Sequence, residues 1–596
     1  MGFRRAWIAG VITFAGAAVA APIAVAQSSA APPPVARDGA SGLITSQQLN
    51  PSRQSPPQRR RSADLFAGAP KEVCLLPDDP KLRFVFQSAE ILDEGHVLSP
   101  GEARRVWAGL VGKTITPHAL CEVADRISER VFQRGVLARV VIPQQTIEGG
   151  KVRFEIIEAK ITSIQFLGDI GPSQALAESY LGHVGHGKVF DLLKVQRWLL
   201  LINDIPGVRA TAKIAHSTEP GAGPGDLDLV VTLSRAAIDE FASVQNTNSD
   251  NLGPWNAIAR VDLNSLTGLG DRTSIIAYST LGNNDQRVVQ VLEQARIGDS
   301  GLYGQASFAY GRSRPRGTLA PLDLTGNSYV GIAELDYPLL RRQAGNIVLG
   351  AGMDFINQQT TFPGGQALSD DSLRVPWVRV DGSFHDIQRP LLGSLVSTDG
   401  DLNVQVRKGV HALGASADNA PSLSRPAGQS DAWVVRSEAV GSVRIEPFDI
   451  HLPPVILSVH GIAQWADRPL LAYEQEAIGN LTIGRGYDPD SASGDRLYAG
   501  EAKAELGPIS LLKVGRSTSA QDIAVGPYGF YDIARVINLA PGSVDNTVHS
   551  VGGGLEFRLP YRIHADVYYA VPLDKAFPEA SSKPPDKIYV QIVFQH

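Results

Sequence analysis

Two periodicities divide the chain. From Leu82 to about Arg235, stretches of helical spacing interleave with alternating stretches, whereas beyond Asp239 the helical period disappears and a period of two takes over. LRFVFQS, from Leu82, predicts a short strand. Thr116 followed by Pro117 predicts a helix start, since a threonine cap with proline in the first turn suits that position. Leu120, Val123, Ile127 and Val131 share one face of this helix and Gly135 ends it. ARVVIPQQ and KVRFEIIE, parted by Gly149 and Gly150, predict two strands. The order strand, helix, helix, strand, strand then repeats. ITSIQFLG is followed by a short helix around Ser173 to Leu181 and a longer one from Asp191, with Leu192, Val195, Leu199 and Ile202 on one face. Pro206 and Gly207 end it, and VRATAKIAH and LDLVVTLS close the unit. Residues 81–159 and 160–235 therefore read as two small α+β domains.

In YRIHADVYYAV, Tyr561, Ile563, Ala565, Val567, Tyr569 and Val571 fall on one face, and Arg562, His564 and Asp566 on the other. Leu349, Ala351, Met353 and Phe355 oppose Gly350, Gly352 and Asp354. Ile588, Val590, Ile592 and Phe594 oppose Gln591 and Gln595. One face is apolar and the other polar. A soluble sandwich also alternates, but no helix long enough to cover a sheet is visible here, and a closed barrel pairs every backbone group as lipid demands. Residues 239–596 are thus expected to form a transmembrane antiparallel β-barrel. Strands of about ten residues leave twelve, sixteen or eighteen arithmetically open, with long loops at Gln358 to Asp371 and Gly414 to Asp431.

Composition narrows the function classes. With 55 Lys+Arg against 61 Asp+Glu the net charge is −6, which excludes a basic nucleic-acid binder at the level of the whole chain. After the N-terminal segment no apolar run is long enough for a transmembrane helix. Arg4 and Arg5 precede an apolar stretch that ends in Ala24, Val25 and Ala26, so 1–26 reads as a secretory signal peptide. Residues 27–80, rich in proline and carrying Arg59, Arg60 and Arg61, read as a linker; Gly42 to Asn50 could form a short helix within it. The chain has two cysteines. Export to an oxidising compartment predicts a disulfide between Cys74 and Cys121.

Catalytic and metal signals are weak. Gly298 to Gly301 spell GDSG, but no Ala-Ala-His-Cys accompanies it, and a hairpin turn accounts for it better. Asp488, Asp490 and Asp495 lack the glutamate that closes a calcium loop, and His183 with His186 has no further ligands. There is no phosphate-binding glycine loop. Neither an enzyme nor a cofactor or metal is expected.

A family resemblance rests on five segments. GVLARVVIPQQTIEGGKVRFEIIEAKI resembles the end of the first POTRA domain of two-partner secretion transporters, and VQRWLLLINDIPGVRATAKI the helix and Pro-Gly turn of their second. Asp250, Asn251, Leu252 and Gly253, followed by TGLGDRT, resemble the first barrel hairpin. Arg485, Gly486 and Tyr487 match the family's Arg-Gly-Tyr at the tip of a loop that folds into the barrel, and Phe530 with Asp532 match its Phe-x-Asp-x-Gly strand motif. Gly484 and Ala534 depart from that pattern, as does the ending Phe594, Gln595, His596. The resemblance implies sixteen strands and an Arg485 to Asp532 pair that fixes the loop to the wall. It implies an outer-membrane transporter, with POTRA domains in the periplasm, that moves one large β-rich exoprotein to the cell surface. Its partners would be that passenger, outer-membrane lipid and the barrel-assembly machinery, and it would act as a monomer. A barrel-assembly factor and a passive porin are the alternatives.

Overall fold

A computed structural model describes residues 74–595, except positions 75, 77, 80, 94–96, 186, 188, 224, 283, 284, 392, 450, 451, 481, 514–521 and 579. The expected signal segment and nearly all of the linker, with its short helix, lie outside the described residues.

The first α+β unit packs helices Pro100–Trp107 and Ala119–Gln133 on a sheet in which Ser88–Leu92 runs parallel to Lys151–Glu158, with Ala138–Val141 on the far side. Leu120, Val123, Ile127 and Val131 are buried in its core, so the helical stripe faces the sheet. Thr116 and Pro117 form the turn that enters this helix, their carbonyls accepting the N–H groups of Ala119 and Leu120. The single strand expected from Leu82 is instead two pieces, Phe84–Val85 and Ser88–Leu92. Phe86 turns fully into the core between them, and the N–H of Gln87 is taken by the carbonyl of Gly150 at 2.9 Å. Glu102 ties the two helices by accepting from the Ser99 hydroxyl and from Arg134 Nη2 at 2.7 Å. The Ser99 contact, then Arg134, holds its carboxyl down at about 2. A depressed carboxyl stabilises above the usual carboxylate range, and its contribution fades as the pH falls through about 2.

The second unit repeats the plan with helices Gln174–Gly182 and Leu192–Asn203 over strands Lys160–Leu167, Asp226–Arg235 and Val208–His216. Asp191 caps the longer helix by accepting the Lys194 N–H at 3.0 Å. Gly207 holds φ +74, and a Cβ there would lie 2.2 Å from the Ala236 carbonyl, so the Pro-Gly turn requires glycine.

From Ile238 the chain forms a closed antiparallel barrel. Arg496–Leu506 and Ile509–Lys513 both pair with Asp522–Ile537 and are one strand interrupted at Gly507 and Pro508, which gives sixteen strands among the described residues. The last strand, Lys587–Gln595, closes on the first, Ile238–Gln245, with Gln591 opposite Gln245. The alternation holds in detail. In Gln286–Arg296, Gln286, Gln290 and Gln294 are buried in the interior while Val289 and Val291 are exposed on the outer wall.

Two sequence expectations are corrected. Gln358 to Asp371 is not a long loop: strands Gly345–Thr361 and Ala367–Leu391 stay paired as far as Thr361 opposite Ala367. Gln358, Thr360, Ser369 and Asp371 are almost fully buried, so their polarity marks the inner face of the wall rather than a loop. Tyr561 and Arg562 belong to no strand face, because both adopt positive φ in the turn before Ile563–Pro572. GDSG lies in the turn between Gln286–Arg296 and Tyr303–Ser313, where Gly298 and Gly301 have positive φ.

Candidate functional site in the barrel lumen

Residues 467–495 join the eleventh strand, Val455–Ala466, to the twelfth. The short pairing of Glu476–Ile478 with Ala492–Gly494 makes a stem. The tip between them carries Arg485, Gly486 and Tyr487 against the inner wall. Arg485 is fastened three ways to Asp532. Its backbone N–H donates at 2.8 Å, Nη2 at 2.7 Å and Nε at 3.3 Å. Asp532 is fully buried and also accepts the Ser550 hydroxyl at 3.0 Å. The guanidinium lies 3.5 Å from the centre of the Phe530 ring, a cation–π contact that the buried setting strengthens.

A second acid completes the arrangement. Glu501 on the twelfth strand stands directly opposite Asp532 on the thirteenth, and its Oε1 is 3.1 Å from Arg485 Nη2. Two carboxylates facing each other across a strand pair repel, so the guanidinium between them is the charge that makes the pair tolerable. Sequence reading missed Glu501 and Ser550. The dyad in RLYAGEAKAEL puts Glu501, Lys503 and Glu505 on one polar face, a signal without a motif to single out its centre.

Glycines and aromatics give the contact its shape. A Cβ on Gly486 would meet the Pro572 nitrogen at 2.8 Å and Ser550 Cβ at 2.9 Å, so the loop backbone is pressed onto the wall. A Cβ on Gly552 would strike the Phe530 ring at 2.4 Å, so this wall glycine makes room for the ring under Arg485. Tyr487 is fully buried. Its hydroxyl lies 2.9 Å from the His549 carbonyl and accepts the Asp574 N–H at 3.1 Å. The two departures from the family motif have local roles: Gly484 sits at φ +112, which a β-branched residue would strain against, and Ala534 packs in the apolar cluster that holds Tyr487.

The other sequence candidates scatter. Asp488 pairs with Lys587 of the last strand, while Asp495 is engaged with Arg425, so these acids do not converge. His183 stacks on Trp198 at 4.2 Å between ring centres, and His186 lies outside the described residues. His411, Asp418 and Asp431 come within 4.8 Å of one another, but Asp431 is already held by Arg468 at 3.0 Å. Cys74 and Cys121 are brought together as a disulfide, with Cα atoms 5.9 Å apart, that ties the approach to the first unit to its longer helix.

The lumen thus holds a loop clamped by buried charge, behind two α+β units and inside a sixteen-stranded wall. Comparison with known proteins bears on the family and the fold. The family model for haemolysin secretion/activation protein ShlB/FhaC/HecB matches residues 225–559, and that for the ShlB-type POTRA domain matches 86–159. None of the curated proteins matches the sequence. Among solved structures, CdiB from Escherichia coli aligns with TM-score 0.66 at 16% identity, covering 92% of this chain and 98% of that one. CdiB from Acinetobacter baumannii gives 0.59 at 15%, covering 92% and 97%. BamA from Haemophilus ducreyi lacking POTRA domains 1-3 gives 0.50 at 12%, covering 86% and 100%. At these identities the likeness concerns the fold. The family model spans more than half of the sequence and a POTRA match precedes it: the chain belongs to the haemolysin secretion/activation protein family ShlB/FhaC/HecB and is an outer-membrane two-partner secretion transporter with its POTRA region in the periplasm.

Proposed function

We propose that the two periplasmic units select the passenger and hand it to the pore, and that the Arg485 clamp holds the lumen loop in the position that makes the pore usable. One observation carries this reading: the second unit is seated on the barrel's periplasmic turns while keeping a sheet edge open. Arg341 of the barrel grips Asp204 with two hydrogen bonds of 2.7 and 2.8 Å. The Ser265 hydroxyl donates to the Pro206 carbonyl at 2.8 Å, and Arg197 to the Pro338 carbonyl at 2.9 Å. In that seated unit the outer edge of Val208–His216 pairs with no other strand among the described residues. An extended segment of a β-rich exoprotein would add there as a further strand, its backbone giving affinity and its alternate side chains specificity.

With no catalytic step assigned, the work of export comes from the passenger folding outside the cell. The closed wall supports a monomer surrounded by outer-membrane lipid, put in place by the barrel-assembly machinery. Exchanging residues 82–234 for those of a relative is expected to change which passenger is secreted, as read from the culture medium. Secretion of the original passenger alone by the exchanged chain would move recognition into the barrel.

A further inference from the structure

A second loop enters the pore from the surface side. Residues 409–432 join strands Ser394–Lys408 and Trp433–Pro447 at the end of the barrel away from the POTRA units. An ordinary surface loop would be solvated, yet Leu423 is 6% exposed, Ser424 0% and Arg425 3%. Leu423 sits in an apolar cluster with Leu471 and Tyr473 of the neighbouring loop and with inward side chains of the wall, among them Ile356 and Leu373. Apolar side chains aimed into a water-filled lumen are unfavourable unless something covers them, and these three cover them.

The polar contacts converge on Asp495, which is fully buried just ahead of the twelfth strand. Its Oδ1 accepts from Arg425 Nη1 at 2.5 Å and from the Leu470 N–H at 2.9 Å, and its Oδ2 accepts the Leu539 N–H at 2.7 Å. One carboxylate thereby joins three surface-side loops. Arg425 adds hydrogen bonds to the Leu470 carbonyl at 2.7 Å and to Asn538 Oδ1 at 3.3 Å. Ser424 fastens the other flank, its N–H donating to Asp371 Oδ1 at 2.9 Å and its hydroxyl accepting the Ala472 N–H at 3.1 Å. From Asp371 on the eighth strand to Asp495 at the entry to the twelfth, the loop is tied to the rim at both flanks.

We propose that residues 409–432 are an outer stopper of the pore, and that Arg425 and Asp495 are the positioning residues that hold it across the surface mouth. This stopper is separate from the Arg485 clamp. Asp532 lies within the thirteenth strand, five residues below the rim residue Ile537, and among the described residues shares no partner with Asp495. A protein that passes as an unfolded chain requires the stopper to swing out, and its return seals the membrane between passengers.

The full chain in planar bilayers in potassium chloride, and in cells exposed to a glycopeptide antibiotic too large for general porins, tests this. Arg425→Ala is expected to raise the single-channel current severalfold and to sensitise cells, while Arg425→Lys retains part of the seal. Heat-modifiable migration checks that each barrel is assembled. A second variant reads the opposite direction: Ser424→Cys with Ala472→Cys, oxidised to a disulfide, is expected to reduce secretion at least tenfold and recover on reduction, with wild type treated in the same way as reference. Unchanged current and antibiotic uptake in Arg425→Ala, or normal secretion by the oxidised double-cysteine chain, would overturn the proposal.

Discussion

Arg485→Ala is expected to abolish most secretion while leaving an assembled barrel, and to do more harm than Asp532→Ala. The asymmetry follows from the three-body site. Removing the guanidinium leaves Asp532 and Glu501 facing each other across the strand pair in a nearly dry setting, two like charges with no cation between them. Breaking a buried ion pair by removing one partner costs roughly 3 to 5 kcal/mol, and the loop tip bears that loss with the Asp488 to Lys587 pair as its remaining ionic tie to the wall. Removing Asp532 leaves Arg485 its contact with Glu501 at 3.1 Å and its seat on Phe530. The double change Arg485→Ala, Asp532→Ala leaves one carboxylate and should fall closer to Asp532→Ala than to Arg485→Ala. Passenger in the medium, normalised to heat-modifiable barrel, gives the cycle its readout. Additive losses across the cycle would mean that the two residues act independently.

The second large effect concerns the first POTRA unit. Cys74 and Cys121 are 47 residues apart, and in the chain-entropy model closing a loop of that length stabilises by about 4 kcal/mol. Replacing both by serine is expected to remove a stabilisation of that order from the unit. Such a loss is large beside the marginal stability of a small domain. Limited proteolysis of the exported chain should then cut within 74–159 at lower temperature or protease dose, while the barrel stays resistant. Identical protection with and without the cysteines, or alkylation of both thiols in unreduced wild type, would show that no stabilising bridge forms.

The barrel was legible because lipid outside and water inside impose opposite chemistry on alternate residues: Val289 and Val291 against Gln290 and Gln294 need no alignment to read. The same rule misled at Gln358 to Asp371, since a run of polar residues looks like a loop unless one knows that half of them face a polar lumen. The Arg485 and Asp532 motifs were visible, but Glu501 was not, because its importance arises only from register: a residue 31 positions before Asp532 becomes its direct neighbour once the strands pair. The outer stopper was hidden for a related reason. Leu423 and Arg425 sit in a stretch rich in serine, proline and glycine that reads as a solvated loop, and nothing local indicates that Asp495, 70 residues later, buries its arginine.

A transporter that exports one particular large protein leaves its mark on what reaches the medium. Comparing the proteins in the culture medium and in the outer membrane, by mass spectrometry, of cells with and without the chain tests this most directly. A single very large β-rich exoprotein is expected to disappear from the medium without the chain and to return with the wild type, while the outer-membrane barrels stay constant. An unchanged medium together with the loss of several outer-membrane barrels would contradict this and make the chain a barrel-assembly factor instead.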